Sequence, residues 1–296
     1  LTETIETLCG ILVLDKPAGC TSHDAVNRVR RLAGTRKVGH LGTLDPLATG
    51  VLPLVIGRAT RLAQFYSHSR KAYDVVIHFS HSTTTYDREG EPTSPPQPRE
   101  FTREQLEPQL DRFRGRFAQT PPPVSAKKIQ GVPAYRLARD QKPVELAPVE
   151  VEIFALEIQR LDGPFLHLSV ECSPGTYIRS LAHDLGQALG CGAHVEALRR
   201  TRNGEFTLAQ AYTLEALAEM PFADALLTGR DILPEIPATT VDDLTASQIR
   251  QGRNFRTSPF LPAPAGRLLR AFDSSGQLIA IAEQTIPHHY HPSVVL

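Results

Sequence analysis

The sequence predicts an α+β protein, with one large domain (residues 1–236) and a small β-rich domain after it (residues 237–296). Three observations lead there. Apolar runs of strand length recur at residues 10–15, 51–56, 72–80, 149–161 and 165–172. Residues 21–32 and 176–189 instead place apolar side chains at helical spacing. Near residues 234–237 the composition shifts, and two further apolar runs, 268–273 and 277–283, are joined by Ser274-Ser275-Gly276, a hairpin signal.

The elements follow in order. GILVLD, residues 10–15, reads as a buried strand halted by Lys16-Pro17-Ala18-Gly19. Thr21 or Ser22 offers a hydroxyl to the orphan N–H groups of a helix start. Ala25, Val26, Val29 and Leu32 form its apolar face, Arg28 and Arg31 lie on the opposite face, and Gly34 ends it. Residues 38–50 (VGHLGTLDPLATG) carry three glycines, a proline and an aspartate, which argues for a loop. Residues 59–66 suit a helix, and Thr102 caps another that runs to 113. Residues 121–123, three prolines, are stiff and extended, and 133–139 suit a short helix. Asp162-Gly163-Pro164 joins the paired strands 149–161 and 165–172. The helix 176–189 ends at Gly190 and Gly192. In the small domain a capped helix covers 245–251.

The chain has 296 residues, of which 41% are hydrophobic and 22% charged, so pure disorder is excluded. With no Trp and one Met, the core is aliphatic. The formal net charge is zero, but charge is unevenly distributed. Residues 21–71 hold nine Lys or Arg against Asp24 and Asp45, while 215–243 hold seven acids against Arg230. Such asymmetry makes a local anion-binding face, or simply two solvated surfaces of opposite sign. The four cysteines, Cys9, Cys20, Cys172 and Cys191, have no CxxC spacing and read as reduced thiols of a cytoplasmic protein. No apolar run is long enough for a membrane span, and residues 1–8 are polar and acidic, unlike a signal peptide.

Three segments could carry chemistry. Gly42-Thr43-Leu44-Asp45-Pro46 sets a carboxylate on a stiffened loop within the basic stretch, where cations favour its ionised form. An aspartate before proline also serves as an ordinary turn residue. CSPGTYIR, residues 172–179, passes from a strand through a glycine turn into a helix start, and could offer N–H groups and Arg179 to an anion. QTPPPVSAKKIQG, residues 119–131, carries Lys127 and Lys128, suited to phosphates or to solvent. His288, His289 and His291 lack acidic or thiol companions, which argues against a metal site there.

Taken together, five ordered segments resemble the TruB family of tRNA pseudouridine synthases: GILVLDKPAGCTSHDAVNRVRR, VGHLGTLDPLATGVLPLVIGRATR, KAYDVV, QTPPPVSAKKIQGVPAYRLAR and CSPGTYIRSLAHDLGQALGCGAHVEALRRTRNGEF. They cover most of residues 10–206. Three places depart from the family pattern: residues 80–90 (SHSTTTYDREG), Val124 where tyrosine is usual, and Pro174 where lysine is common.

The resemblance implies a mixed, mainly antiparallel sheet with helices and loops around one cleft, and a PUA-like RNA-binding C-terminal domain. It implies isomerisation of uridine-55 in the T-loop of tRNA by a monomer, with no metal, organic cofactor, protein partner or membrane. Asp45 is the implied catalytic carboxylate, acting as nucleophile or as base toward a ribose proton. Arg179 is implied to pair with it, and Tyr73 to stack on the base. His40, Lys16, Leu198, Arg28, Arg31, Lys127 and Lys128 are the implied substrate and RNA contacts. Three rivals stand beside this reading. A tRNA-binding chaperone would work without Asp45. A glycosidase-like hydrolase would need a second carboxylate flanking the bond. A guide-RNA-dependent relative would be expected to carry a long basic tail.

Overall fold

The computed structural model describes residues 8–124, 128–129, 132–133, 146–258 and 266–296. The strands in chain order begin with β1 (Gly10–Lys16), β2 (Val38–His40), β3 (Thr49–Ile56), β4 (Lys71–Phe79) and β5 (Gly115–Gln119). A short pair follows, β6 (Lys128–Ile129) and β7 (Val132–Pro133), then β8 (Val149–Asp162), β9 (Phe165–Cys172), β10 (Ala193–Asn203), β11 (Phe206–Thr207) and β12 (Leu226–Leu227). Five more, β13 (Ala238–Thr240), β14 (Phe255–Arg256), β15 (Leu268–Phe272), β16 (Leu278–Ile286) and β17 (His289–Val295), form a separate sheet.

The larger sheet runs β12-β1-β3-β10-β4-β9-β8-β5, with β2 on β3 and β11 on β10. All its pairs are antiparallel except β10 with β3. The expected mixed, mainly antiparallel sheet is therefore present. The hairpin at Asp162 also forms as expected, with Asp162 opposite Phe165.

Helix α1 (Ser22–Leu32) starts with a capping box, in which Thr21 accepts from the Asp24 N–H and Asp24 accepts in return. Helix α2 (Arg103–Leu110) is capped by Thr102, and α3 (Ile178–Ala188) lays Ile178, Leu181, Ala182 and Leu185 into the core beside Ile77 and Val195. Truncating such a buried leucine to alanine costs about 2–5 kcal/mol. Helix α4 (Leu214–Ala218) packs near β1, and α5 (Asp243–Arg250) covers the small sheet.

Several expectations are corrected. Residues 38–40 pair with β3 instead of lying in a loop, and Gly57–Tyr66 is a 3₁₀ run, not an α-helix. The helix expected to 113 is α up to Leu110 and then a 3₁₀ turn, Asp111–Phe113. Of the helix expected at 133–139, Pro133 ends a strand and 134–139 lie outside the described residues. Strand β10 has no counterpart in the sequence reading, because Arg199, Arg200 and Arg202 interrupt the apolar pattern that marks a strand.

The small sheet, order β13-β15-β16-β17-β14, surrounds Ile249, Leu269, Ile279 and Tyr290. A second cluster joins Ile11, Val13 and Val51 of the large sheet to Phe272, Ile281 and Val294 of the small one. The connecting segment is held by the buried Arg270, which donates to the carbonyls of Arg230, Ile232, Pro234 and Ile236 at 2.8–3.2 Å. No described helix is long and apolar enough to cross a membrane.

Candidate active site

The site is organised around residues 41–48, a loop with little regular hydrogen bonding of its own. Buried carbonyls without partners would each cost about 1–3 kcal/mol, and four side chains from distant elements supply donors. Asn203 donates to the Leu41 carbonyl at 2.8 Å. Arg200 donates to Gly42 (3.0 Å), Thr43 (3.2 Å) and, through Nε, Val51 (2.7 Å). Ser22, the first residue of α1, both donates to the Leu44 carbonyl and accepts from its N–H. Lys16, at the end of β1, donates to the carbonyls of Pro17 (2.8 Å), Pro46 (3.3 Å) and Ala48 (2.7 Å). Asp45 is thereby presented from a backbone fixed on both sides.

Arg179, in the first turn of α3, faces that carboxylate. Its Nε lies 2.9 Å from Asp45 Oδ2 and its Nη2 2.9 Å from Oδ1, a bidentate pair. Nη1 also donates to the Thr85 carbonyl and Nη2 to that of Val124. The guanidinium is 5% exposed and the Asp45 side chain 32%, so the cation is enclosed while the carboxylate keeps an open side. Beyond Arg179 stands Asp87, buried and 3.6 Å from Nη1, with Oδ1 accepting from Thr85 Oγ1 and the Glu89 N–H. Sequence reasoning missed Asp87, which sits within the segment that departs from the family pattern. It missed Arg200 and Asn203 too, because the bulge at Glu196 shifts the alternation that Ala193 and Val195 begin.

Tyr73 lies on β4 opposite Arg200 of β10, almost fully buried. Burial pushes its hydroxyl up to about 12, with the neighbouring Arg200 pulling the other way. Lys71, two residues earlier on the same face, is pushed down to about 8 by burial and then by Arg200. His40 is half-buried and its Nδ1 accepts from the Gly42 N–H. Burial, then Arg200 and His23, lower its pKa and favour the neutral ring.

The remaining expected residues scatter. Lys16 is enclosed, with its ammonium spent on carbonyls, so it reaches the loop and not the solvent. In that place it orders the loop that carries Asp45. Leu198, next to Arg200, lines a groove of about 650 Å³ with Leu47, Thr49 and Val75; Asp45, Tyr73 and Arg179 do not line it. Arg28 and Arg31 are exposed on α1. Lys127 lies outside the described residues, and for Lys128 only the backbone, in β6, is described.

Comparison with known proteins bears on this arrangement. Residues 30–178 match the N-terminal domain of TruB family pseudouridylate synthases, and 179–234 match the tRNA pseudouridylate synthase B C-terminal domain. The chain is 55% identical to the tRNA pseudouridine synthase B of Solibacter usitatus, covering 97% of this chain and 99% of that one. The chain belongs to the TruB family of pseudouridylate synthases. Enzymes of that family are isomerases. The TruB relative of Stutzerimonas stutzeri is 45% identical over 93% of this chain and 91% of its own length, and that of Mycobacterium tuberculosis strain H37Rv is 42% identical over 92% and 91%. Solved structures share the TruB fold. An H/ACA ribonucleoprotein bound to a substrate RNA containing 2′-deoxyuridine aligns with TM-score 0.72 at 23% identity, covering 98% of this chain and 85% of that one. A Cbf5-Nop10-Gar1 complex aligns at 0.70 and 24%, covering 96% and 80%. Asp45 and Tyr73 lie in the first matched TruB segment, and Arg179 opens the second.

Proposed function

We propose that this chain converts uridine-55 in the T-loop of tRNA to pseudouridine, with Asp45 as the catalytic carboxylate. The observation that supports this most is the bidentate pairing of an enclosed arginine with Asp45, on a loop whose carbonyls are held by four side chains from three elements. A carboxylate so aimed needs little reorganisation when the reaction begins.

The reaction breaks the C1′–N1 bond and rejoins the base through C5, with no redox change. Asp45 starts it on its open side, by attack on the nucleoside or by removing a ribose proton. Arg179 holds the Asp45 carboxylate oriented, and Asp87 holds Arg179 from behind. Tyr73 stacks on the base. Its hydroxyl is protonated at neutral pH, so taking the C5 proton requires ionisation against burial, which the Arg200 charge favours. The target uridine is flipped from the loop at a cost of about a few kcal/mol. Arg28, Arg31, Lys127 and Lys128 grip phosphates, His40 supports the flipped loop and Leu198 borders the base. Residues 237–296 act as the RNA-binding C-terminal domain.

The test is purified protein incubated with unmodified tRNA transcript, without added metal or cofactor. Pseudouridine is mapped by carbodiimide primer extension, with Asp45→Asn in parallel. A stop at the T-loop uridine that disappears in the variant is the expected result. Bound tRNA with no stop in either sample would favour a binding-only chaperone, and a stop elsewhere would overturn the assigned position.

A further inference from the structure

The β4–β10 pair carries a second group of ligating side chains, on the sheet face opposite Tyr73. His78 of β4 and His194 of β10 are direct cross-strand partners. The register then slips between Val195 and Ala197, making Glu196 the extra residue of a bulge. Bulges re-aim side chains, and here the Glu196 carboxylate comes alongside both imidazoles. One donor atom from each of His78, His194 and Glu196 lies within 4.8 Å of the other two.

The surroundings orient these groups. His194 is 3% exposed, and its Nδ1 lies 2.9 Å from the His81 carbonyl. A carbonyl only accepts, so Nδ1 carries the proton and Nε2 keeps its lone pair, 3.9 Å from Glu196 Oε2. This is the outer hydrogen bond that ordinarily orients a metal-binding histidine. The His78 ring stacks on Phe165 at 4.5 Å. Arg88 takes the other Glu196 oxygen, Oε1, at 3.3 Å.

We propose that His78, His194 and Glu196 bind a divalent transition ion of the zinc class, bridging β4 and β10. Two imidazoles and one carboxylate, without thiolate, suit zinc, cobalt or nickel and leave an outer position for water. Donor atoms about 2.0–2.2 Å from one ion need only close from their present spacing by side-chain rotation. The ion would pin the bulge on the strand that also carries Leu198, Arg200 and Asn203.

The test uses the full chain stripped with chelator, titrated calorimetrically with zinc and followed by visible absorption with cobalt. Wild type is expected to take up one equivalent with a rise in unfolding temperature. His78→Gln and Glu196→Gln, both outside the core, should weaken binding by about 100-fold or more, at least the loss expected from an outer partner, while their metal-free unfolding temperatures match wild type. Absence of saturable uptake by wild type overturns the proposal. So does uptake unchanged in both variants, uptake lost in His289→Gln, or a thiolate-to-cobalt band placing the ion on cysteine.

Discussion

Arg179 and Asp45, 134 positions apart in sequence, meet in two parallel hydrogen bonds of 2.9 Å, and the arginine is the more deeply buried partner. Each Arg179 nitrogen has an acceptor, so the side chain has one position available to it. Replacement by lysine keeps the charge but loses the fork that reaches both carboxylate oxygens. Arg179→Lys is expected to lower the single-turnover rate by about 100-fold or more, comparable to losing one preorganised donor, with tRNA affinity within a few-fold of wild type. Arg179→Ala should also destabilise the fold by about 3 kcal/mol, since it strands Asp87 in the interior. Chemical denaturation and filter binding separate these effects. An affinity loss matching the rate loss would mean that Arg179 works mainly by holding RNA.

Lys16 is predicted to act on rate and not on binding. Lys16→Met removes the ammonium from the Ala48 carbonyl, three residues after Asp45, while the Pro46 carbonyl keeps only the Gly19 N–H. The expected cost is about 1–3 kcal/mol in stability and a fall in kcat at nearly unchanged KM. A rise in KM alone would return Lys16 to the RNA-contacting set.

Gly50 admits no side chain. Its φ is +97°, and a Cβ there would stand 2.2 Å from the Arg200 carbonyl, where β3 runs against β10. Gly50→Ala is expected to lose about 3 kcal/mol or more, at or above the usual range for overpacking, visible in urea unfolding. A variant of near wild-type stability would contradict this packing.

Lys71 gives a pH dependence of known sign. Its folded value of about 8 lies below the ordinary 10.5. Between these pH values the unfolded chain holds more protons on this residue, so its contribution to stability rises with pH. Cys172, pushed up to about 11 by burial, opposes this above its ordinary 9.0, so the clean window is pH 8 to 9. Lys71→Met should be more stable than wild type below pH 8, with the difference shrinking through that window. A difference independent of pH would show that the ammonium is not desolvated as the fold implies.

Strand-length apolar runs and capped amphipathic helices gave β1, β4, β8, β9, α1 and α3 nearly at their observed limits, because burial imposes periods of 2 and 3.6 on composition. Asp45 stood out as a carboxylate on a stiffened loop in a basic stretch, and the family motifs drew attention to Tyr73 and Arg179. The sequence by itself therefore determined these six elements and which loop bears the carboxylate. The tertiary structure alone decided how that loop is held. Arg200, Asn203 and Lys16 look like surface polar residues in the chain, yet their donors meet carbonyls up to 162 positions away. Asp87 likewise became a partner of Arg179 only through folding. Hydrogen bonds between residues so far apart leave no period in the sequence, since each depends on strand register and on which face of β10 turns inward.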